Sequence, residues 1–322
     1  SIGFSVETMI DSSAIIDKSA TIKNGVCVCL GVKIGANAHI KENSIIYTGS
    51  IIDHETILGE HSFIAPGVSV AGRVNIGDNC FVGIGSTIKE KITIEDNVII
   101  GDQTDIGNHN TICNGTKMGS NCTVFHNASI GEAPQDLKYE GEETKTIIGD
   151  NVIIREAVTI NRGTKAYGKT FVGENTLLMT GTHVAHDCIV GSNVIMANLA
   201  TLGGHVEVGD WANIGGGVMV HQFVKVGTQS LIGGGFTAKQ DVPPYITTSG
   251  APLRFVGINK IGLERRGVDP EIRMLIKKAY RTYFVSKLNR GQALDKIRKT
   301  MPQIAEIKNI INFIESSERG II

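Results

Sequence analysis

At 322 residues the chain exceeds one ordinary compact domain, and its length alone suggests about two units. Glycine supplies 39 residues, aromatics 5% and proline seven, while apolar and charged fractions of 41% and 20% exclude collagen-like and low-complexity chains and allow a buried core. A net charge of −1 excludes an overall polybasic nucleic-acid binder, although residues 254–322 carry 15 Lys and Arg against 7 Asp and Glu, so the tail favours an anionic partner.

The first residues show neither the charged start nor the continuous apolar stretch of a signal peptide. The long uncharged run from Cys188 to Val206 is broken by Gly, Asn, Ser and His, so no membrane span is expected. Cys27, Cys29, Cys80, Cys113, Cys122 and Cys188 form no CxxC pair and no familiar metal spacing. They read as reduced thiols of a cytoplasmic protein with no bound metal.

From Ile10 onward every sixth residue is aliphatic or Met: Ile16, Ile22, Val28, Ile34, and so on through Met118, Val124 and Ile130. The same phase returns at Ile148, Ile154 and Ile160, and again from Val172 to Ile232; only Asp136, Glu142 and Ala166 break it. A period of six fits neither a helix nor one face of a long strand. It fits short strands joined by tight turns, each side of a coil pointing one large aliphatic inward. Three sides make a coil of 18 residues, and stacked coils pair as parallel strands about 4.8 Å apart. Glycines directly after the inward residue, such as Gly35, Gly59, Gly77 and Gly101, are expected to supply the backbone freedom of the corners. The fold class is an all-β solenoid spanning residues 1–242.

Two charged, turn-rich segments, 131–147 and 161–171, abandon the period and are expected to leave the solenoid as loops, where function often resides. Beyond residue 242 the period stops at Pro243, Pro244 and Pro252. From Asp269 a helix is predicted, with Asp as N-cap, Pro270 in the first turn, and Ile272, Leu275, Ile276, Ala279 and Tyr283 at helical spacing. A second amphipathic stretch, 292–315, is interrupted or restarted at Pro302. Residues 243–322 thus form a C-terminal helical domain.

Four histidines cluster: His183, His186, His205 and His221. An 18-residue coil stacks His186, Gly204 and Gln222 in one column, and Asp187 and His205 in the next. An imidazole can accept a hydroxyl proton near neutral pH, and a carboxylate such as Asp187 can set its tautomer and stabilise the cation. The backbone N–H of Gly204 is a candidate oxyanion donor. Cys188 occupies the small inward slot of its coil and reads as a buried thiol rather than a nucleophile.

The hexad pattern resembles the hexapeptide-repeat acyltransferases, which implies a left-handed parallel β-helix; handedness comes from that resemblance, since parallel crossovers otherwise favour the right hand. The segments GEAPQDLKYEGE (131–142), LLMTGTHVAHDCIVG (177–191), TLGGHVEVGD (201–210), VHQF (220–223), QDVPPY (240–245) and LERRG (263–267) sharpen it. Over about 107–322 the chain resembles the acyl-carrier-protein-dependent UDP-N-acetylglucosamine O-acyltransferases that begin lipid A biosynthesis. The resemblance implies transfer of an (R)-3-hydroxyacyl chain to the sugar 3-hydroxyl, with acyl carrier protein and UDP-N-acetylglucosamine as partners. It also implies a homotrimer, and no cofactor beyond the carrier-protein thioester. Carried over by motif, His186 is the general base, Asp187 its orienting carboxylate and Gly204 the oxyanion donor. Asp136, Lys138, His183, His205, His221 and Gln222 are substrate contacts, with Asn259, Arg265 and Arg266 near the diphosphate. Gly234 stands where the family measures acyl length and implies a longer chain. Asn161 stands where the family commonly has His.

The stretch 45–88 resembles a different hexapeptide family, the acetyl-CoA-dependent sugar acetyltransferases of the sialic-acid and bacillosamine type. His54 and Glu55 match its catalytic pair and Gly72 follows His54 by 18 residues, making a possible second site, although Phe63 stands where that family often has His. The additional N-terminal coils imply a natural extension or a chimera. The alternatives to the acyltransferase are therefore acetyl transfer at His54 and Glu55, or an extended structural scaffold.

Overall fold

The computed structural model describes residues 7–322; the first six, with which the expected 1–242 solenoid begins, lie outside the described residues. The chain divides into two compact units, Ser1–Asp187 and Cys188–Ile322.

In the first unit most strands are two residues long and end on the inward aliphatic, as in Lys33–Ile34, His39–Ile40 and Ile45–Ile46. Each pairs in parallel with a strand 18 residues away: Met9 opposite Cys27, Ile15 opposite Lys33, Thr21 opposite His39. Consecutive strands therefore belong to three different walls. Ile40, Ile46, Ile52, Leu58 and Ile64 are buried in the interior, each contributing on the order of 1.5–3 kcal/mol through area removed from water. Ile10, which opens the period, is about half exposed, because among the described residues its strand Met9–Ile10 pairs on one side only, with Cys27–Val28.

The corners differ from the sequence expectation. Left-handed backbone falls on the third residue after the aliphatic, at Asn37, Asn43, Gly49, Glu55 and His61, with φ between 55° and 70°. Asn tolerates that region through local side-chain hydrogen bonding, which explains its frequency there. Glycine directly after the aliphatic answers a separate need, close approach between coils. A Cβ on Gly59 would lie 2.2 Å from the carbonyl of Gly77, and one on Gly101 would lie 2.4 Å from that of Gly119.

Two side-chain ladders run between coils. Asp78, Asp96, Asp102 and Asp150 accept the amide N–H of Glu60, Asp78, Ile84 and Ser120 in the preceding coil. Inside, Ser44 donates to the Gly59 carbonyl and accepts from the Ser62 amide, Ser62 repeats the relation with Gly77 and Cys80, and the Cys80 thiol donates to Glu95 O. The cysteine thus replaces a hydroxyl in a column of small buried donors.

The loops are shorter than expected. Strands Ser129–Glu132 and Lys145–Ile148 bracket the first, and Thr159–Asn161 and Lys169–Val172 the second. Their flanks remain β because the two longer strands pair with each other, Lys145 opposite Lys169 and Thr146 opposite Thr170. Across the first loop the coil-to-coil separation grows to 30 residues and across the second to 24. Both exceed 18 by a multiple of six, so the hexad phase survives.

The second unit repeats the ladder: Ile189 lies opposite Glu207, Ile195 opposite Asn213, and Thr201 opposite Met219. Beyond residue 242, strand Ile246–Ser249 pairs in parallel with Leu231–Ile232, then antiparallel with Arg254–Ile258. Helix α1 (Lys260–Arg265), which the sequence reading lacks, follows directly. Helix α2 (Pro270–Tyr280) has the predicted Asp269 cap and Pro at its start and runs into a π turn, Arg281–Val285. Helices α3 (Arg290–Thr300) and α4 (Ala305–Glu315) flank Pro302. The Tyr280 hydroxyl donates to Pro244 O and Asn309 donates to the Tyr245 hydroxyl, tying α2 and α4 to the proline-rich turn. Among the described residues no helix is long and apolar enough to cross a membrane.

If close approach is what demands glycine after the aliphatic, Gly59→Ala lowers stability by about 1–3 kcal/mol through overpacking. Thermal melting followed by circular dichroism reads this, and an unchanged melting temperature would refute it.

Candidate active site

His186 and Asp187 stand at a corner of the first unit, Asp187 in the left-handed region with φ 58°. His186 Nδ1 lies 2.9 Å from Asp187 Oδ2. A carboxylate can only accept here, so Nδ1 carries the proton and Nε2 becomes the basic nitrogen.

Asp187 is buried, and burying a carboxylate is costly without donors. The second loop provides them: Thr164 N–H donates to Oδ1 (2.9 Å), the Thr164 hydroxyl to Oδ2 (2.6 Å) and Tyr167 N–H to Oδ1 (3.3 Å). The Thr170 hydroxyl accepts the Asp187 amide at 2.9 Å. Thr164 is itself held by its neighbours. The Thr144 hydroxyl donates to Gly163 O, Arg162 Nε donates to Gly131 O, and Asn161 Nδ2 donates to Ala133 O. A Cβ on Gly163 would lie 2.2 Å from Lys169 N, so the turn that presents Thr164 requires glycine. Sequence reasoning missed Thr164, Tyr167 and Thr170; the departure of 161–171 from the hexad period was the one signal that this segment does something else.

His183 sits on the wall strand before His186, its Nδ1 2.7 Å from the Thr159 hydroxyl. Burial, and secondarily the neighbouring His186, hold its imidazole below the usual histidine range. Asp136, on the first loop, accepts from Lys138 N–H and shapes a turn there, with Lys138 exposed.

In the second unit the His205 ring stacks on Phe223, centroids 4.5 Å apart, so residues 18 apart do lie over one another. At some corners the amide N–H two residues after the inward aliphatic finds an Asp one coil on, as Ser192 finds Asp210. Gly204 occupies that position, but its counterpart is Gln222. Its carbonyl accepts from Phe223 N–H, while its own N–H meets no acceptor among the described residues. A backbone donor is thereby left for a ligand. His221 Nδ1 is 3.1 Å from an Arg319 guanidinium nitrogen. The Gln222 carbonyl oxygen, which can only accept, lies 3.2 Å from the same Nδ1, so the two neighbours ask for opposite tautomers. Arg319 was not foreseen. The Cys188 thiol is buried and donates to Gly203 O, the packing role expected of it.

Asn259 caps α1, accepting from Gly262 N–H and donating to Gln229 O. With Arg265, Arg266, Trp211, Ile195 and Leu231 it lines a cavity of about 710 Å³. Arg266 lies over the Trp211 ring, 4.8 Å from its centroid, and its Nε and Nη1 are buried without an acceptor. Burial lowers its pKa. Such orphaned guanidinium donors suit an anion with several oxygens. Gly234 faces Gly216, whose carbonyl oxygen would lie 3.1 Å from a Cβ at 234, so neither residue projects a side chain at this place.

The possible second site is built differently. The His54 ring lies against Gly72, where a Cβ would come within 2.4 Å of Nε2, so the 18-residue relation holds there as well. Glu55, however, pairs with Arg73 at 3.0 Å and stands 4.0 Å from His54 Nδ1, and both Glu55 and His54 are exposed to solvent. No buried carboxylate among the described residues sets that imidazole.

Because the folded-state pKa of His183 is depressed, its protonation opposes folding, and stability falls as pH drops from the usual 6.5 toward the lowered value. Histidine NMR titration should place His183 below 6.5 in the native chain and bring it partway back in His186→Asn, which removes the secondary cause. A His183 titration unmoved by that change would remove the imidazole pair from the account.

A family profile described as "Udp N-acetylglucosamine O-acyltransferase; Domain 2" matches residues 241–322, and a bacterial transferase hexapeptide profile of six repeats matches 169–204. The acyl-[acyl-carrier-protein]--UDP-N-acetylglucosamine O-acyltransferase of Syntrophobacter fumaroxidans is 46% identical over 194 residues, 60% of this chain and 75% of that protein. Two solved structures are similar along the chain. LpxA from Acinetobacter baumannii has 34% identity and a TM-score of 0.66, over 98% of this chain and 99% of that one. LpxA of Bacteroides fragilis, a UDP-N-acetylglucosamine acyltransferase, has 36% identity and a TM-score of 0.62, over 98% and 100%. These similarities carry the left-handed course of the parallel β-helix that the hexad resemblance implied. By sequence identity, coverage and fold together, the chain belongs to the UDP-N-acetylglucosamine O-acyltransferase family.

Proposed function

We propose that the protein transfers an (R)-3-hydroxyacyl chain from acyl carrier protein to the 3-hydroxyl of UDP-N-acetylglucosamine, the first step of lipid A biosynthesis, as a homotrimer in the cytoplasm. The observation that carries the reading is the His186–Asp187 pair, in which a buried carboxylate with three further donors fixes one imidazole tautomer.

His186 Nε2 takes the proton of the sugar hydroxyl as its oxygen attacks the thioester carbonyl. Asp187 stabilises the imidazolium that results. The Gly204 N–H is assigned to the developing oxyanion, supported by its lack of an acceptor among the described residues. The tetrahedral intermediate collapses with loss of the carrier-protein thiolate, and the proton held by His186 neutralises it. No step calls for a metal. Arg266, with Asn259 and Arg265, receives the diphosphate, which would satisfy the buried guanidinium donors. Asp136, Lys138, His183, His205, His221 and Gln222 contact the rest of the substrate. The basic tail, net +8 over residues 254–322, attracts an acidic carrier protein. Asn161 Oδ1 is buried with no partner, which supports a polar substrate group beside it in place of the family's histidine contact.

Acetyl transfer at His54 is the less favoured reading, since Glu55 is engaged by Arg73.

Purified protein given 3-hydroxyacyl carrier protein and UDP-N-acetylglucosamine should turn over, and His186→Ala should lose about 10²–10⁴-fold in kcat, the range of a general base. His54→Ala should leave the rate unchanged. Turnover with acetyl-CoA that disappears in His54→Ala alone would instead favour the N-terminal site. Gly234→Met should shift preference toward shorter donors in a chain-length series; an unaltered profile would remove Gly234 from length selection. Light scattering should give about three times the 34.4 kDa of one chain, and a monomer mass would dismiss the trimer.

A further inference from the structure

Cys27 and Cys29 flank the inward Val28, so both thiols leave the coil on its outer side. Their sulfurs lie 4.0 Å apart, and both residues are partly accessible, unlike the buried Cys80, Cys113, Cys122 and Cys188. The spacing discriminates between two chemistries. A disulfide needs sulfur atoms about 2.05 Å apart, so the pair would have to close by nearly half its separation around a buried residue. Two thiolates each about 2.3 Å from one cation, at a trigonal angle of about 120°, stand about 4.0 Å apart without moving.

Register brings a third sulfur. Met9 is the direct partner of Cys27 in the neighbouring strand, about 4.8 Å away along the ladder. Met9 is 62% exposed and so has room to reorient. Ile45 follows on the opposite side of Cys27, and Tyr47 occupies the next coil in the Cys29 column. Thioether and thiolate are soft ligands that select copper(I), whereas zinc asks for a fourth nitrogen, oxygen or sulfur ligand. The Cys-x-Cys spacing thus matches the sulfur separation that two thiolates on one cation require.

We propose that Cys27, Cys29 and Met9 form a surface site for a soft monovalent cation, copper(I), remote in sequence from the acyl-transfer residues. Binding replaces two thiol protons by one cation, leaving a dithiolate complex with the neutral thioether as third ligand.

The test offers copper(I), without oxygen, to the full-length protein from its bathocuproine disulfonate complex, following the loss of the chelator's colour. Wild type should withdraw one copper per chain. Cys27→Ser and Cys29→Ser should each abolish uptake, and Met9→Leu should weaken it about tenfold, as loss of one neutral soft ligand does. All three should keep the native circular dichroism spectrum and full acyl-transfer activity. Three outcomes would overturn the proposal: no withdrawal by wild type, uptake retained in the Cys27→Ser Cys29→Ser chain, or a pair that loses 2 Da to a disulfide under oxidised glutathione yet takes up no copper.

Discussion

Successive coils approach until their backbones hydrogen-bond directly, and most of the molecule's features follow from that distance. Gly59 has no side chain because a Cβ would enter the Gly77 carbonyl. Asp78 and Asp102, each directly after such a glycine, accept a corner amide N–H of the preceding coil. Where the column offers Gln222 instead of Asp, the Gly204 amide has no such acceptor.

The loops leave this ladder and return to it: the coil-to-coil separations become 30 and 24 residues while strand pairing resumes in register, and the inserted chain is free to fold back over the wall. Thr164 and Tyr167 use that freedom to satisfy both oxygens of Asp187, which is why a carboxylate can be buried beside His186. The contrast with Glu55 is instructive. The same left-handed corner and the same His–acid order occur there, but no loop covers the acid, and Arg73 takes it as a surface ion pair.

Much of this was legible in the amino-acid order because the repeat is local. The inward positions, the 18-residue coil, the two departures from it and the His186, Asp187 and Gly204 positions can all be read by stepping along the chain. Two readings failed for a shared reason. The role of the glycines after the aliphatics and the extent of the loops depend on contacts with neighbouring coils, which periodicity does not describe. Helix α1 escaped because six residues are too few for a helical period to emerge.

The sequence by itself therefore determined the solenoid, its phase and the corner on which the candidate base stands, since each is a consequence of spacing within one coil. Only the tertiary structure decided what surrounds that base. The Thr164 donors to Asp187, the Arg319 partner of His221 and the orphaned guanidinium of Arg266 come from segments far away in the chain. Hydrogen bonds of that kind depend on where a loop lands in space, and no local pattern of residues encodes it.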